Sequence, residues 1–267
     1  MPAEHSPVYT LSMIPDEAQT SYEYTFGPAD CVELEGEKYP PPNLMQYGEP
    51  VENHRQSGRR DAETVTALMA QHGYRSGHIL DYGCSNGRMT RWFSRFFTPE
   101  NDVWGVDIHC RRVAWASYFL SDKASFLPVN TGYSLPFEDR YFAAQIFYSV
   151  FTHMNETWMT WLQEIRRVSR IGGLAFVTLH DESALSNLVR QGRPSLLLPQ
   201  MKQLGIQFDE QEAGSMLFYR GEDRNVLQSF FSREFFLRHV SRYFEVPAIV
   251  ENTMAGFQTL YVLRRKW

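Results

Sequence analysis

His78-Ile79-Leu80-Asp81-Tyr82-Gly83-Cys84-Ser85-Asn86-Gly87-Arg88 is the stretch on which the reading of this chain turns. His78 to Tyr82 is a short apolar run of strand length that enters a turn of small residues. From Arg88 to Phe97 the pattern becomes helical, with Met89, Trp92, Phe93 and Phe96 on one stripe. A strand, a glycine-bearing turn and a helix in that order form a ligand platform. Small residues let a ligand touch the backbone, and the helix start offers N–H groups. Asp81 adds a carboxylate beside the turn. The dinucleotide pattern G-x-G-x-x-G is not met by Gly83-Cys84-Ser85.

The same alternation continues downstream. Val103 to Ile108 reads as a strand, Arg111 to Leu120 as a helix, and Ser125 to Val129 and Ala143 to Val150 as two more strands. Trp158, Trp161, Leu162 and Ile165 mark an amphipathic helix, and Leu174 to Leu179 a strand after Gly172-Gly173. Strands alternating with helices at this spacing predict an α/β fold with a parallel sheet. Ser232 is placed to cap a helix carrying Phe236, Val240 and Tyr243. Two final strands, Phe244 to Val250 and Phe257 to Leu263, have only the turn Asn252 to Gly256 between them, so they pair antiparallel.

Residues 1–60 form no clear α/β unit and read as an N-terminal extension packed on the core. Pro40-Pro41-Pro42 makes a stiff spacer, and Val32, Leu34, Leu44 and Met45 require burial. A helix is expected from Asp61, with Val65, Leu68 and Met69 on one face and Gly73 as its stop, opening the main domain at 61–267. Residues 181 to about 225 break the alternation. Gly192, Pro194, Pro199, Gly205, Gly214 and Gly221 punctuate apolar runs such as Leu196-Leu197-Leu198, which predicts an inserted cap.

Of the 267 residues, 43% are hydrophobic and 21% charged, the composition of a folded soluble domain. The net charge of -5 argues against a nucleic-acid surface spanning the protein. Cys31, Cys84 and Cys110 lack metal-ligand spacing, and neither a signal peptide nor a membrane span is read, so a cytoplasmic location is expected. No metal, nucleic acid or membrane partner is expected, and the oligomeric state stays open.

Asp107 ends the second strand, where an acidic residue can accept both hydroxyls of a ribose; the plainer reading is a helix cap. Together these features resemble class I S-adenosylmethionine-dependent methyltransferases over residues 60–267. Residues 81–88 look like the family's first motif and Val103-Trp104-Gly105-Val106-Asp107 its second. Asn130 to Phe137 looks like the loop along the adenine. Ser149-Val150-Phe151-Thr152-His153-Met154 and Glu164 to Gly173 are similar to two later segments. The Ser-Val-Phe-Thr-His form, with the prolines near the N-terminus, is most similar to methyltransferases associated with glycosyltransferases and polysaccharide clusters. Three departures stand out. Ser85 replaces a glycine and fits if its φ is negative, leaving its hydroxyl for the ligand. Ala143-Ala144 replaces Phe-Asp, and Ile171 replaces proline.

The resemblance implies a Rossmann-like, seven-stranded, mostly parallel sheet with an antiparallel C-terminal hairpin, S-adenosyl-L-methionine as cofactor, and methyl transfer to a small-molecule or glycan hydroxyl. N-methylation, or a catalytically silent scaffold, are the alternatives. Asp81, Gly83, Cys84, Ser85, Gly87, Arg88, Asp107, Ile108, Asn130, Thr131, Tyr148 and Ser149 are expected around the cofactor. Arg59 is expected to reach its carboxylate. A hydroxyl acceptor needs a general base; His180, ending a strand beside Asp181 and Glu182, is the first candidate and His153 the second. Phe208, Phe218, Tyr219 and Phe230-Phe231 are expected to bound the acceptor pocket or to pack the cap.

Overall fold

Apolar runs of strand length, interrupted by helical stripes, build one large sheet. The structure, a computed structural model, describes residues 8–10, 21–45, 49–97, 102–130, 132, 134–154, 157–191, 216–220 and 227–267. Four short strands come first: β1 (Val8–Thr10) pairs antiparallel with β2 (Ser21–Glu23), and β3 (Val32–Leu34) with β4 (Glu37–Tyr39). The main sheet uses β5 (His78–Tyr82), β6 (Val103–Asp107), β7 (Ser125–Pro128), β8 (Phe142–Phe147), β9 (Ser169–Leu179), β12 (Phe244–Val250) and β13 (Thr259–Arg265), in the order β12-β13-β9-β8-β5-β6-β7. A separate hairpin joins β10 (Met216–Arg220) to β11 (Leu227–Phe231). The β5-β6, β6-β7 and β8-β9 ladders are parallel; β13 runs antiparallel to both β9 and β12. The Rossmann-like, mostly parallel sheet with its antiparallel C-terminal hairpin is therefore present. No helix among the described residues is long and apolar enough to cross a membrane.

The chain divides into two compact units, Met1–Pro136 and Phe137–Trp267. In the first, helix α1 spans Val51–Gln71, beginning ten residues before the expected start at Asp61. Pro50, with its fixed φ, stands at the N-cap. The buried face runs His54, Gly58, Asp61, Ala62, Val65, Met69, so its first half is polar and apolar periodicity cannot register it. Gly58 lies against the turn after β5: a Cβ added there would stand 2.3 Å from the Arg88 carbonyl oxygen. The Arg88 guanidinium then closes the crossing, donating to Asp61 at 2.8 Å and to the Ser57 hydroxyl at 3.2 Å.

Residues 24–45 are tied to α2 (Thr90–Phe96), to α3 (Cys110–Phe119) and to the turn between β5 and α2. The Trp115 indole donates to the Asp30 carbonyl at 2.6 Å, and the Asn86 amide to the Leu44 carbonyl at 3.0 Å. Buried Arg91 donates to Glu37 at 3.1 Å, and its guanidinium lies 4.1 Å from the centroid of the Tyr39 ring. Phe26 meets Phe119 edge-on in a cluster with Leu44 and Trp115. Burial of each such side chain contributes roughly 1.5–3 kcal/mol, more than the partly exposed Arg95–Glu37 ion pair.

In the second unit, α4 (Trp158–Val168) buries Trp158, Trp161, Leu162 and Ile165. Glu164 and Arg167 pair at i,i+3, and Arg167 also donates to the Phe137 carbonyl and the Asp139 carboxylate, both at 2.8 Å. β9 begins at Ser169 rather than Leu174, because Phe142 pairs with Ser169 before a bulge shifts the register. Gly172 takes φ +74 there, and Ile171 is exposed, so the position needs no proline. Ser232 caps α6 (Arg233–Val240), its hydroxyl accepting from the Phe235 N–H at 3.1 Å. Of the expected cap, residues 182–190 form α5 (Glu182–Arg190) and residues 216–220 form β10. Residues 192–215 and 221–226, with Leu196, Leu197, Leu198 and Phe208, lie outside the described residues, as do the side chains of Phe218 and Tyr219.

The α1 crossing gives a signed prediction. Alanine at a helix interior is favoured over glycine by about 1 kcal/mol, whereas a forced backbone clash costs about 1–3 kcal/mol. Gly58→Ala should therefore lower the urea midpoint with an unchanged slope; a raised midpoint would show that α1 does not press on the Arg88 backbone.

Candidate functional site

In the first unit, the turn after β5 is drawn toward the end of β6. The N–H groups of Gly83 and Cys84 both donate to the Val106 carbonyl, at 2.8 and 3.1 Å. Gly83 and Gly87 take φ of 80 and 78. Ser85 takes φ 54, a left-handed conformation, which corrects the expectation of a negative φ. The cause is its N–H, which donates to Asp107 Oδ2 at 2.7 Å. Asp107 Oδ1 accepts from the His109 N–H at 2.8 Å, at the start of α3. One buried carboxylate thus bridges the loops after β5 and β6. A carboxylate offers about four acceptor positions, so this one keeps capacity for further donors. Beside it Ile108 is 47% exposed, a large apolar side chain uncovered at the strand end.

Neighbouring residues divide into packing and polar roles. Cys84 turns into the core cluster with Phe126 and Trp115, and burial pushes its thiol well above the usual range. Its Sγ would stand 3.0 Å from a Cβ at position 105, so Gly105 makes room for it. Burial raises the Asp81 carboxyl to about 6, against a 2.6 Å hydrogen bond from the Thr90 hydroxyl that lowers it. Asn130 accepts from the Gly132 N–H at 2.7 Å, and Thr131 lies outside the described residues. Two expected cofactor partners hold intramolecular partners. Arg88 is committed to Asp61 and Ser57. Arg59 faces outward, pairing with Glu63 at 2.8 Å on the exposed side of α1.

The second unit carries its own polar group at the ends of β8 and β9. Ser149, at φ 58, donates its N–H to the Thr178 hydroxyl at 2.6 Å, and its hydroxyl accepts from the Gln258 amide at 3.1 Å. Tyr148 is buried beside it. His180 is 2% exposed, with its ring between Phe230 and Phe257 at centroid distances of 5.4 and 5.5 Å. One ring nitrogen bonds the Ser229 backbone, and Nδ1 is buried without a partner. Burial above all, with His153 nearby, pushes the imidazole down to about 3. A ring of that basicity stays neutral at physiological pH, which argues against the expected role of general base. The second candidate, His153, is exposed at the end of the short helical turn Phe151–His153.

Asp181 points away from His180. Its oxygens accept from Thr259 at 2.6 Å, Tyr261 at 2.7 Å, the Ala184 N–H at 3.0 Å and Arg233 at 3.0 Å. Glu182 accepts from the Arg233 N–H. Among the described residues no group of three or more His, Cys, Asp or Glu is placed to hold a metal ion. Sequence reasoning passed over two buried polar residues, His54 and Gln258. The i, i+4 stripe through Asp61 and Val65, extended backwards, reaches the first; pairing of Thr259 with Leu179 sets the second level with His180.

The depressed imidazole has a pH signature. Between about 3 and the ordinary 6.5 the unfolded chain binds the proton that folded His180 refuses, so this group's contribution is present above 6.5 and lost as pH falls toward 3. The unfolding free energy of the wild type, minus that of His180→Phe, should fall on acidification across that window. A pH-independent difference would show that His180 is not buried neutral.

Comparison with known proteins now adds to the geometry. Residues 80–177 match the methyltransferase domain family. No curated protein matches the chain. Among solved structures, a protein from Pyrococcus horikoshii OT3 is 20% identical with TM-score 0.57, covering 84% of this chain and 96% of that one. The 1,6-didemethyltoxoflavin-N1-methyltransferase of Burkholderia thailandensis, solved with its acceptor and S-adenosylhomocysteine, is 15% identical with TM-score 0.55, covering 82% and 83%. The geranyl diphosphate C-methyltransferase of Streptomyces coelicolor A3(2) is 14% identical with TM-score 0.51, covering 76% of each chain. Likenesses at this identity establish the fold. Residues 80–177 are thus similar to a methyltransferase domain, and the sheet that carries them has the fold of the solved structures named above.

Proposed function

We propose that this chain transfers a methyl group from S-adenosylmethionine to a small-molecule acceptor. The observation that carries the reading is the Asp107 carboxylate, fixed by two backbone N–H groups at the strand ends while acceptor capacity remains. That arrangement fits a ribose diol, and exposed Ile108 offers an apolar surface beside it for an adenine ring. The cofactor, when bound, supplies an electrophilic sulfonium methyl. The chain's share is to hold the adenosyl part at Asp107 and to keep the turn from Gly83 to Gly87 in contact range. In the second unit, Ser149, Gln258 and His180 are polar groups at the ends of β8 and β9.

A sugar or other hydroxyl acceptor follows from the sequence resemblance. The low basicity of His180 favours a second reading, an amine acceptor, whose own lone pair attacks without a base in the transition state. The related structures named above act at nitrogen and at carbon, which leaves the acceptor atom a matter for assay. A silent scaffold would bind cofactor and turn over no acceptor.

Calorimetry on the full chain tests the reading: S-adenosylhomocysteine should bind and NADH should not. Asp107→Ala should weaken binding by about tenfold or more, since each charge-assisted hydrogen bond is worth roughly 1.5–3 kcal/mol. Stabilisation by NADH alone, or unchanged affinity in a variant that still melts cooperatively, would overturn it.

A further inference from the structure

Arginines gather at the end of β9 that lies farthest from His180. Arg166 stands in the last turn of α4, Arg170 at the start of β9, Arg140 just before β8 and Arg265 at the end of β13. The Arg167 carbonyl ties these segments together, accepting from the Arg140 N–H at 2.8 Å and from Arg265 Nη1 at 3.5 Å. Arg265 also donates to the Ser169 carbonyl, and its Nε to the Trp267 carbonyl at 2.8 Å. Burial above all, then the charges of Arg166 and Arg140, lowers the pKa of Arg265 against the opposing pull of Asp139. The cations therefore sit within range of one another, and the length of β9 separates them from His180 by roughly 30 Å.

Carboxylates do not balance this group. Asp139 and Glu164 are both taken by Arg167, and Glu245 stands opposite Arg264 in the β12-β13 ladder. In the segment 137–141 that leaves Glu138 as the offsetting charge. The Arg166 guanidinium lies 5.7 Å from the centroid of the Tyr243 ring, with Nε buried without a partner. Arg140 and Arg170 are exposed and, among the described residues, stand in no ion pair.

Apolar side chains stand beside the cations. The β9-β13 ladder ends where Leu174 meets Arg264, so residues 169–173 and 265–267 lie at one end of the sheet. Ile171 and Trp267 there are 56% and 59% exposed, the two most exposed large hydrophobics among the described residues. Lys266 Nζ lies 5.7 Å from the centroid of the Trp267 ring. An acidic chain in solution would satisfy the guanidiniums and leave the indole and the isoleucine in water. An anionic bilayer takes both, since its phosphates receive the cations and its headgroup layer receives an indole.

We infer that this end of the second unit docks on an anionic membrane surface, with Arg140, Arg166 and Arg170 over the lipid phosphates and Ile171 and Trp267 in the headgroup layer. The sequence reading expects no membrane partner because no span is present, and surface docking requires none. The opposite end of β9, with His180, is left clear of the bilayer.

Co-sedimentation of the full chain with vesicles tests it. Wild type should bind vesicles of equal parts phosphatidylserine and phosphatidylcholine, stay free of pure phosphatidylcholine, and be released by raised salt. Arg140→Asp with Arg170→Glu should lower the partition by about tenfold or more, since each cation near such a surface is worth about fivefold. Aspartate suits the left-handed backbone at position 140, where φ is 61, and both side chains are exposed, so the variant should melt as the wild type does. Tryptophan emission should shift to the blue on the anionic vesicles, and less so in Trp267→Phe, which serves if the double variant fails to fold. Absent binding, equal binding to neutral vesicles, an undiminished partition in the double variant or a full emission shift in Trp267→Phe overturns the inference. The same loss from Arg59→Glu with Arg60→Glu, on the exposed side of α1, overturns it as well. Binding to polyglutamate or single-stranded DNA with none to vesicles assigns the face to another polyanion and also overturns it.

Discussion

The Asp107 carboxylate is the constraint from which the first unit's ligand face follows. Because it must receive N–H groups from two loops at once, the turn after β5 has to double back toward β6. That path forces Ser85 into left-handed backbone, at a cost of order 1 kcal/mol. It also brings Cys84 down against Gly105, where a side chain larger than hydrogen would collide. Arg88 and the Gly58 crossing then fasten α1 over the far end of the same turn. Glycine, cysteine and arginine in this motif therefore serve the placing of the loop around the Asp107 carboxylate.

A second buried carboxylate plays the corresponding part in the other unit. Asp181 gathers β13 and the starts of α5 and α6 by accepting from Thr259, Tyr261, Ala184 and Arg233. Four donors converging on one buried carboxylate determine its position strongly. Strand alternation then sends the preceding residue, His180, to the opposite face, between Phe230 and Phe257. The low basicity of the imidazole is thus a consequence of where Asp181 must be. A His-Asp-Glu run that suggests a general base on paper is split by the geometry of the strand end.

The sheet was legible because its strands are apolar and its helices amphipathic. The C-terminal hairpin was legible because no helix fits between Val250 and Thr259. Asp107 was legible for a positional reason, as the acidic residue ending β6. What could not be read were polar residues that face inward. The first ten residues of α1 carry His54 and Gly58 on their buried side, so hydrophobic periodicity placed the helix start at Asp61. Arg59 looked functional because arginine suits a carboxylate, yet the 3.6-residue turn puts it on the outer face, beside Glu63. The φ of Ser85 depends on a hydrogen bond to a residue 22 positions away, which no local rule contains.

These misreadings share one physical origin, which bears on where function lies in this chain. Folding is driven by apolar burial, so sequence pattern reports the core and is silent on polar groups that the core encloses. A buried polar group persists only when the fold satisfies it or when something else does. Asp81, Asp107 and Asp181 accept from hydroxyls and backbone N–H groups within the fold and so hold the chain's shape, with Asp107 keeping further acceptor capacity. His54, Asn86, His180 and Gln258 each keep one atom without a partner. The first two stand beside the turn of the first unit and the last two level with the end of β9 in the second, so the buried atoms left unpaired include groups next to the loops that follow β5 and β9.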